Sequence, residues 1–168
     1  FPESFKMLGS GWVVPSLIAG LALVVTMFML GKTKLGFHSF AIGGNEEVAR
    51  LSGVPILRNK LIYYSIGGFL AGLAGVVEAA RLNYVEPNYG IGWELQAIAG
   101  AVIGGTSLFG GMGGVGRTII GVLIIRSLYA GLVQIGVDSY WQQVAIGAVI
   151  IIAVWIDTVN RKRAVEKA

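Results

Sequence analysis

Residues 12–31, WVVPSLIAGLALVVTMFMLG, hold no charged side chain over 20 positions. As an α-helix rising 1.5 Å per residue, this run is about 30 Å long, the thickness of a bilayer's hydrocarbon core. Such a helix has no polar face to turn to water, whereas in lipid it satisfies its backbone internally. Three further apolar runs follow: 61–80 (LIYYSIGGFLAGLAGVVEAA), interrupted only by Glu78 near its end, 115–135, which carries Arg117 and Arg126, and 140–156, with Tyr140, Trp141 and Trp155 placed as interfacial anchors. Hydrophobic residues make up 55% of the chain and charged residues 13%, with a mean hydropathy of +0.73; a soluble domain carries about 25% charged residues. The sequence predicts an all-α, polytopic membrane protein. With no cysteine and a single histidine, His38, it excludes disulfides, thiolate chemistry and a histidine metal site. The chain opens on Phe1-Pro2-Glu3 and has its first methionine at Met7, which reads as a piece of a longer protein.

Charge orients the spans. Lys32, Lys34, Arg50, Arg58 and Lys60 lie between the first two, and Arg161, Lys162, Arg163 and Lys167 follow the last, whereas the N-terminal stretch and the loop 81–93 carry only Lys6 and Arg81. The positive-inside rule then puts 32–60 and the tail in the cytoplasm. The net charge of +4 thus reflects membrane topology, and no nucleic-acid partner is expected. An even number of crossings must separate two cytoplasmic segments, so the short apolar stretch 95–104 (LQAIAGAVIG) must cross too. About five crossings are expected, one of them short or broken.

A crossing with so short a helix needs irregular backbone at membrane depth, tolerated where it is buried in protein or faces a wet cavity. The residues that follow suit that need: Gly104, Gly105, Gly110, Gly111, Gly113, Gly114 and Gly116 permit a sharp turn and close approach. Residues 104–116 are therefore expected to form a glycine-rich intramembrane turn. The same run imitates two nucleotide motifs. Gly111 to Thr118 is a near Walker A loop with Arg117 in place of lysine, and Gly111, Gly113 and Gly116 spell G-x-G-x-x-G. Both motifs require a β-strand before the loop and a soluble βαβ unit around it. A membrane segment precedes Gly104, and Asp138, near the offset of a ribose-binding acid, falls at the far end of span 115–135. No cofactor is expected in this chain.

Span 61–80 places Gly67, Ala71 and Gly75 on one stripe and Gly68 and Gly72 on the next, a surface on which another helix can approach closely. Between the first two spans, otherwise a polar loop, lies GGNEEVARLSGVPILRNK, residues 43–60. Asn45 is a good N-cap, Glu46 and Glu47 sit in the first turn, where the helix dipole favours anions, and Gly53 suits the C′ position with Pro55 stopping continuation. A short cytoplasmic helix of about two turns is predicted, and Glu47, Ala49 and Gly53 give it the spacing Glu-x-Ala-x-x-x-Gly.

That spacing resembles the loop motif of ABC importer permeases, whose short cytoplasmic helix docks in a cleft of the ATPase subunit. More narrowly, AIGGNEEVARLSGV, GGFLAGLAGVVEAARL, AIAGAVIGGTSLFGGMGGVGRTIIG and YWQQVAIG are similar, in the same order, to the permeases of ribose, xylose and related monosaccharide importers. The resemblance runs from about residue 30 to 157 and matches the C-terminal half of a permease of about ten spans. It implies a transport subunit rather than an enzyme, in the bacterial plasma (inner) membrane. Its implied partners are ABC ATPase subunits, which bind the ATP, a periplasmic or extracellular sugar-binding protein, a second permease copy and membrane lipid. It implies an ATPase-docking loop at 32–60, with Asn45, Glu46, Glu47, Ala49, Arg50 and Gly53 as coupling residues. Gly68, Gly72, Gly104, Gly105, Gly110, Gly111 and Gly113 are expected to serve hinges or packing. Arg126 departs from the resemblance. It stands midway along its span, where a charge costs about 2.5–3.5 kcal/mol on insertion scales. An ion pair with an acid elsewhere, snorkelling, or a place in the sugar path would each account for it. A passive channel or secondary transporter is the rival reading, and it has no need of an ATPase-docking helix.

Overall fold

The computed structural model describes residues 3–85 and 89–165. Glu86, Pro87 and Asn88 of the loop 81–93 and Lys167 of the tail lie outside them. The chain forms two compact units, 1–89 and 90–168, and among the described residues all regular structure is helical.

In the first unit, α1 (Glu3–Gly9) is followed by α2 (Val13–Lys32), a 20-residue span with Pro15 in its first turn, where the missing N–H costs nothing. Residues 32–60 are more helical than the expected polar loop: α3 (Lys34–Gly44) precedes α4 (Glu46–Leu51). Thr33 makes this corner. Its extended backbone ends α2, its hydroxyl donates to Met29 O at 2.6 Å, and the same oxygen accepts from Gly36 N at 3.5 Å to cap α3. A side chain at Gly36 would run into the Leu30 carbonyl. The next span, α5 (Ile56–Leu82), begins five residues before the apolar run, and its 27 residues extend about 40 Å. The excess over a hydrocarbon core is the polar first turn with Arg58, Asn59 and Lys60. α1 packs on the other end of α5, where Gly9 lies against the backbone of Ala80 and Arg81.

The second unit contains α6 (Trp93–Ile103), α7 (Val115–Gln134) and α8 (Ser139–Val165). α6 runs antiparallel to α7, with Gly104 beside Arg117 and Thr118, Gly100 beside Gly121 and Val122, and Gln96 beside Arg126. Its core is Ala99, Ile125 and Ile146, with Ile103, Tyr129, Val149 and Ile150 packed around them. Among the described residues, four helices are long and apolar enough to cross a membrane: α2, α5, α7 and residues 139–159 of α8. α6, the fifth apolar helix, has 11 residues and is about 16 Å long. The segment containing it nevertheless follows α8 from Gln142, with which Trp93 and Gln96 line a cavity, to Asp157, whose carboxylate accepts from Ser107 Oγ at 2.9 Å. That stretch of α8 is about 22 Å long.

Glycine ends α6. Gly105 has φ +82°, its N–H donates to Val102 O at 2.9 Å and that of Thr106 donates to Ala101 O at 3.0 Å, the paired bonds of a Schellman turn. Gly110 and Gly111 also have positive φ, at +86° and +76°. Gly113 is held by contact: an added Cβ would meet the Thr106 side chain at 3.1 Å.

Candidate functional sites

α4 is built from local signals. Asn45 Oδ1 accepts from Val48 N at 3.0 Å, and Gly53, at φ +81°, closes the far end with Gly53 N–H to Arg50 O and Val54 N–H to Ala49 O, both 3.0 Å. Glu46 accepts from Lys60 Nζ at 2.6 Å, which ties α4 to α5. That bond holds the Glu46 carboxyl below its ordinary value, with the charges of Lys60 and Arg50 adding to it and partial desolvation opposing it. Arg50 approaches Glu46 and Glu47 at 3.8 Å each, in exposed pairs that contribute little. Two further bonds hold α3 on α5. Asn59, 3% exposed, donates to Pro55 O at 2.9 Å and bonds His38 Nδ1 at 3.3 Å, and Tyr63 Oη donates to Leu35 O at 2.7 Å.

The two sides of α4 differ. Ala49 is 4% exposed and packs within its own unit, while Val48 and Leu51 are 57% and 80% exposed beside the charged Glu47 and Arg50. A cavity of about 490 Å³ opens between α3 and α4, lined by Phe37, Phe40, Asn45, Val48 and Ala49 among others. The sequence thus located the helix, its caps and its charges. Phe37 and Leu51 were not singled out, because exposed apolar residues are ordinary in a hydrophobic chain.

In the second unit Arg126 Nη1 donates to Gln96 Oε1 at 3.2 Å, and the guanidinium lies 6.0 Å from the Tyr129 ring centroid. Among the described residues no carboxylate comes within ion-pair distance of it. A cavity of about 70 Å³ lies alongside, lined by Trp93, Gln96, Tyr129, Ser139, Gln142 and others. Gln96 and Gln142 were missed by the sequence reading; the available signal was an amide within an otherwise apolar crossing. Among the glycines, a Cβ on Gly68 or Gly72 would meet nothing within 4 Å, whereas one on Gly104 would stand 2.6 Å from Arg117 O and Thr118 Cα. Among the described residues no cluster of three or more His, Cys, Asp or Glu is placed to hold a metal.

Residues 1–154 match the family described as branched-chain amino acid transport system / permease component. The ribose import permease protein of Escherichia coli (strain K12) is 45% identical over 153 residues, covering 91% of this chain and 47% of that protein. Its counterpart in Bacillus subtilis (strain 168) is 45% identical over 157 residues, 91% of this chain and 49% of that protein. The xylose transport system permease protein of Haemophilus influenzae is 42% identical over 149 residues, 89% and 40% respectively. The chain spans about half the length of these relatives. No solved structure matches it.

Proposed function

The chain belongs to the branched-chain amino acid transport system permease family, and from that premise we propose that it is the C-terminal half of the membrane permease of an ATP-binding-cassette importer that carries a monosaccharide into a bacterial cell. The observation that carries this reading is the 45% identity to two ribose import permeases over 91% of the chain. The substrate class follows those relatives and not the family's description. In this reading the protein sits in the plasma membrane, pairs with a second permease copy, receives sugar from a binding protein outside and is driven by ATPase subunits inside. ATP binds to those subunits; this chain contributes the path and the coupling surface.

The first unit suits coupling in a specific way. A partner that grips Val48, Leu51, Glu47 and Arg50 holds a helix fixed to α5 by the Glu46–Lys60 bond and followed by only a short turn before that span. α3 is fixed to α5 as well, through Asn59–His38 and Tyr63–Leu35. Displacement of α4 on ATP binding would therefore pull on the cytoplasmic end of α5 instead of being lost in a flexible loop. Ala49 supports this arrangement from beneath, and Gly53 turns the chain back toward α5.

Leu51→Glu in the full-length permease tests the reading, since it places a charge on the exposed face at a side chain that is 80% exposed. The ATPase subunit should co-purify at least tenfold less, with permease yield unchanged. Ala49→Trp should lose the ATPase too, by unseating α4, and should also open 33–55 to limited proteolysis. Full ATPase recovery and normal sugar-stimulated hydrolysis in both variants would contradict a docking role.

A further inference from the structure

The amides of Gln96 and Gln142 are fixed in opposite senses around one cavity, and the groups they leave unused are complementary. An arginine has only donors, so the bond from Arg126 must end on Gln96 Oε1, which leaves the Gln96 Nε2 hydrogens unused. A backbone carbonyl has only lone pairs, so the 2.6 Å bond to Val137 O must come from Gln142 Nε2, which leaves Gln142 Oε1 as an acceptor. Gln142 is 5% exposed, and no described residue donates to that oxygen. Yet no fully sealed side-chain polar atom among the described residues lacks a partner. The oxygen must therefore reach open space, and the space that Gln142 lines is the cavity it shares with Gln96, Trp93, Tyr129 and Ser139.

We propose that this cavity receives one hydroxylated edge of the transported monosaccharide, with Gln142 Oε1 accepting from one hydroxyl and Gln96 Nε2 donating to its neighbour. The proposal deepens the importer reading and rests on it. Adjacent sugar hydroxyls each donate and accept, so a facing donor and acceptor recognise them where an apolar solute would leave both amides unpaired. At about 70 Å³ the cavity has the volume of two or three waters, each about 30 Å³. It admits an edge of the ring, and the rest of the ring lies outside it. Arg126 acts as a positioning residue. Its donor-only head fixes the sense of the Gln96 amide, which gives a mid-span cation a use without an acid beside it.

The test uses the full-length permease with its ATPase and binding protein in proteoliposomes, with ribose and xylose as probes. Gln96→Glu keeps an acceptor for Arg126 and adds an ion pair, but replaces the Nε2 donors with a second acceptor. A Gln96 that only steadies Arg126 predicts unchanged transport; the proposal predicts a KM raised tenfold or more, while Gln134→Leu, outside the cavity, keeps the wild-type KM. A wild-type KM in Gln96→Glu overturns it. If that variant does not assemble, Ser139→Cys at the cavity is alkylated by maleimide with and without sugar. Protection of tenfold or more at saturating sugar supports the proposal, and an unchanged alkylation rate overturns it. Absence of ATP-driven uptake by the wild-type complex would instead overturn the importer reading, and this proposal with it.

Discussion

Replacing Gly104 by alanine adds one methyl group at the closest point of the α6–α7 pair. That Cβ would stand 2.6 Å from both Arg117 O and Thr118 Cα, where ordinary contact is 3.4–4 Å. Both neighbours are backbone atoms of a helix, so no side chain can swing aside. α6 and α7 would have to separate locally by roughly 0.8 Å, a gap at which facing atoms lose about a quarter to a half of their dispersion energy. The loss falls near the buried Ala99 and Ile125. Overpacking of this kind costs about 1–3 kcal/mol, and a change of one or two kcal/mol shifts the folded-to-unfolded ratio roughly 5- to 30-fold. Gly116→Ala is the matched control: nothing lies within 4 Å of its added Cβ, and alanine favours a helix over glycine by up to about 1 kcal/mol. Thermal unfolding of the purified full-length permease, followed by loss of the monodisperse species, should place Gly104→Ala below wild type and Gly116→Ala at or above it. A Gly104→Ala protein as stable as wild type would refute the close-approach account of this glycine.

Asn45→Ala removes the cap of α4 and should cost about 1 kcal/mol locally, seen as faster amide exchange at Val48 with exchange in α7 unchanged. Because the Glu46 carboxyl is held below its ordinary 4.5 in the folded chain, its bond to Lys60 contributes fully above that pH. The contribution is lost as pH falls through the lowered value, so acid should loosen α4 in wild type more than in Glu46→Gln, as read by proteolysis between pH 6 and 3. In intact cells, an impermeant thiol reagent should label Tyr84→Cys and not Phe37→Cys, both exposed positions, in an otherwise cysteine-free permease; the reverse pattern would invert the topology.

The spans were legible because a predominantly apolar run of some twenty residues announces a membrane helix without any tertiary information. α4 was legible for a similar reason: Asn45, Glu46, Gly53 and Pro55 act within a few residues of one another. α3 was not, since Lys34 and two closing glycines make 34–44 look like loop, and its stability comes from Asn59 and Tyr63 on α5. Glycine showed where freedom was needed more readily than why. Gly105 serves a positive φ, while Gly100, Gly104 and Gly121 serve a close helix crossing, a distinction that only packing reveals. Gly90, in the loop before α6, likewise serves a positive φ, at +91°. Gln96 and Gln142 are far apart in sequence and meet only because α6 runs alongside both α7 and α8.

The central claim is that this chain forms part of an ATP-driven sugar path. Its most direct test is uptake of labelled ribose and xylose by proteoliposomes holding the complete permease with its ATPase and binding protein, with ATP supplied on the ATPase side. The account predicts accumulation against a gradient that requires both ATP and the binding protein and that Leu51→Glu abolishes. Sugar equilibrating at the same rate without ATP, and unaffected by Leu51→Glu, would contradict it.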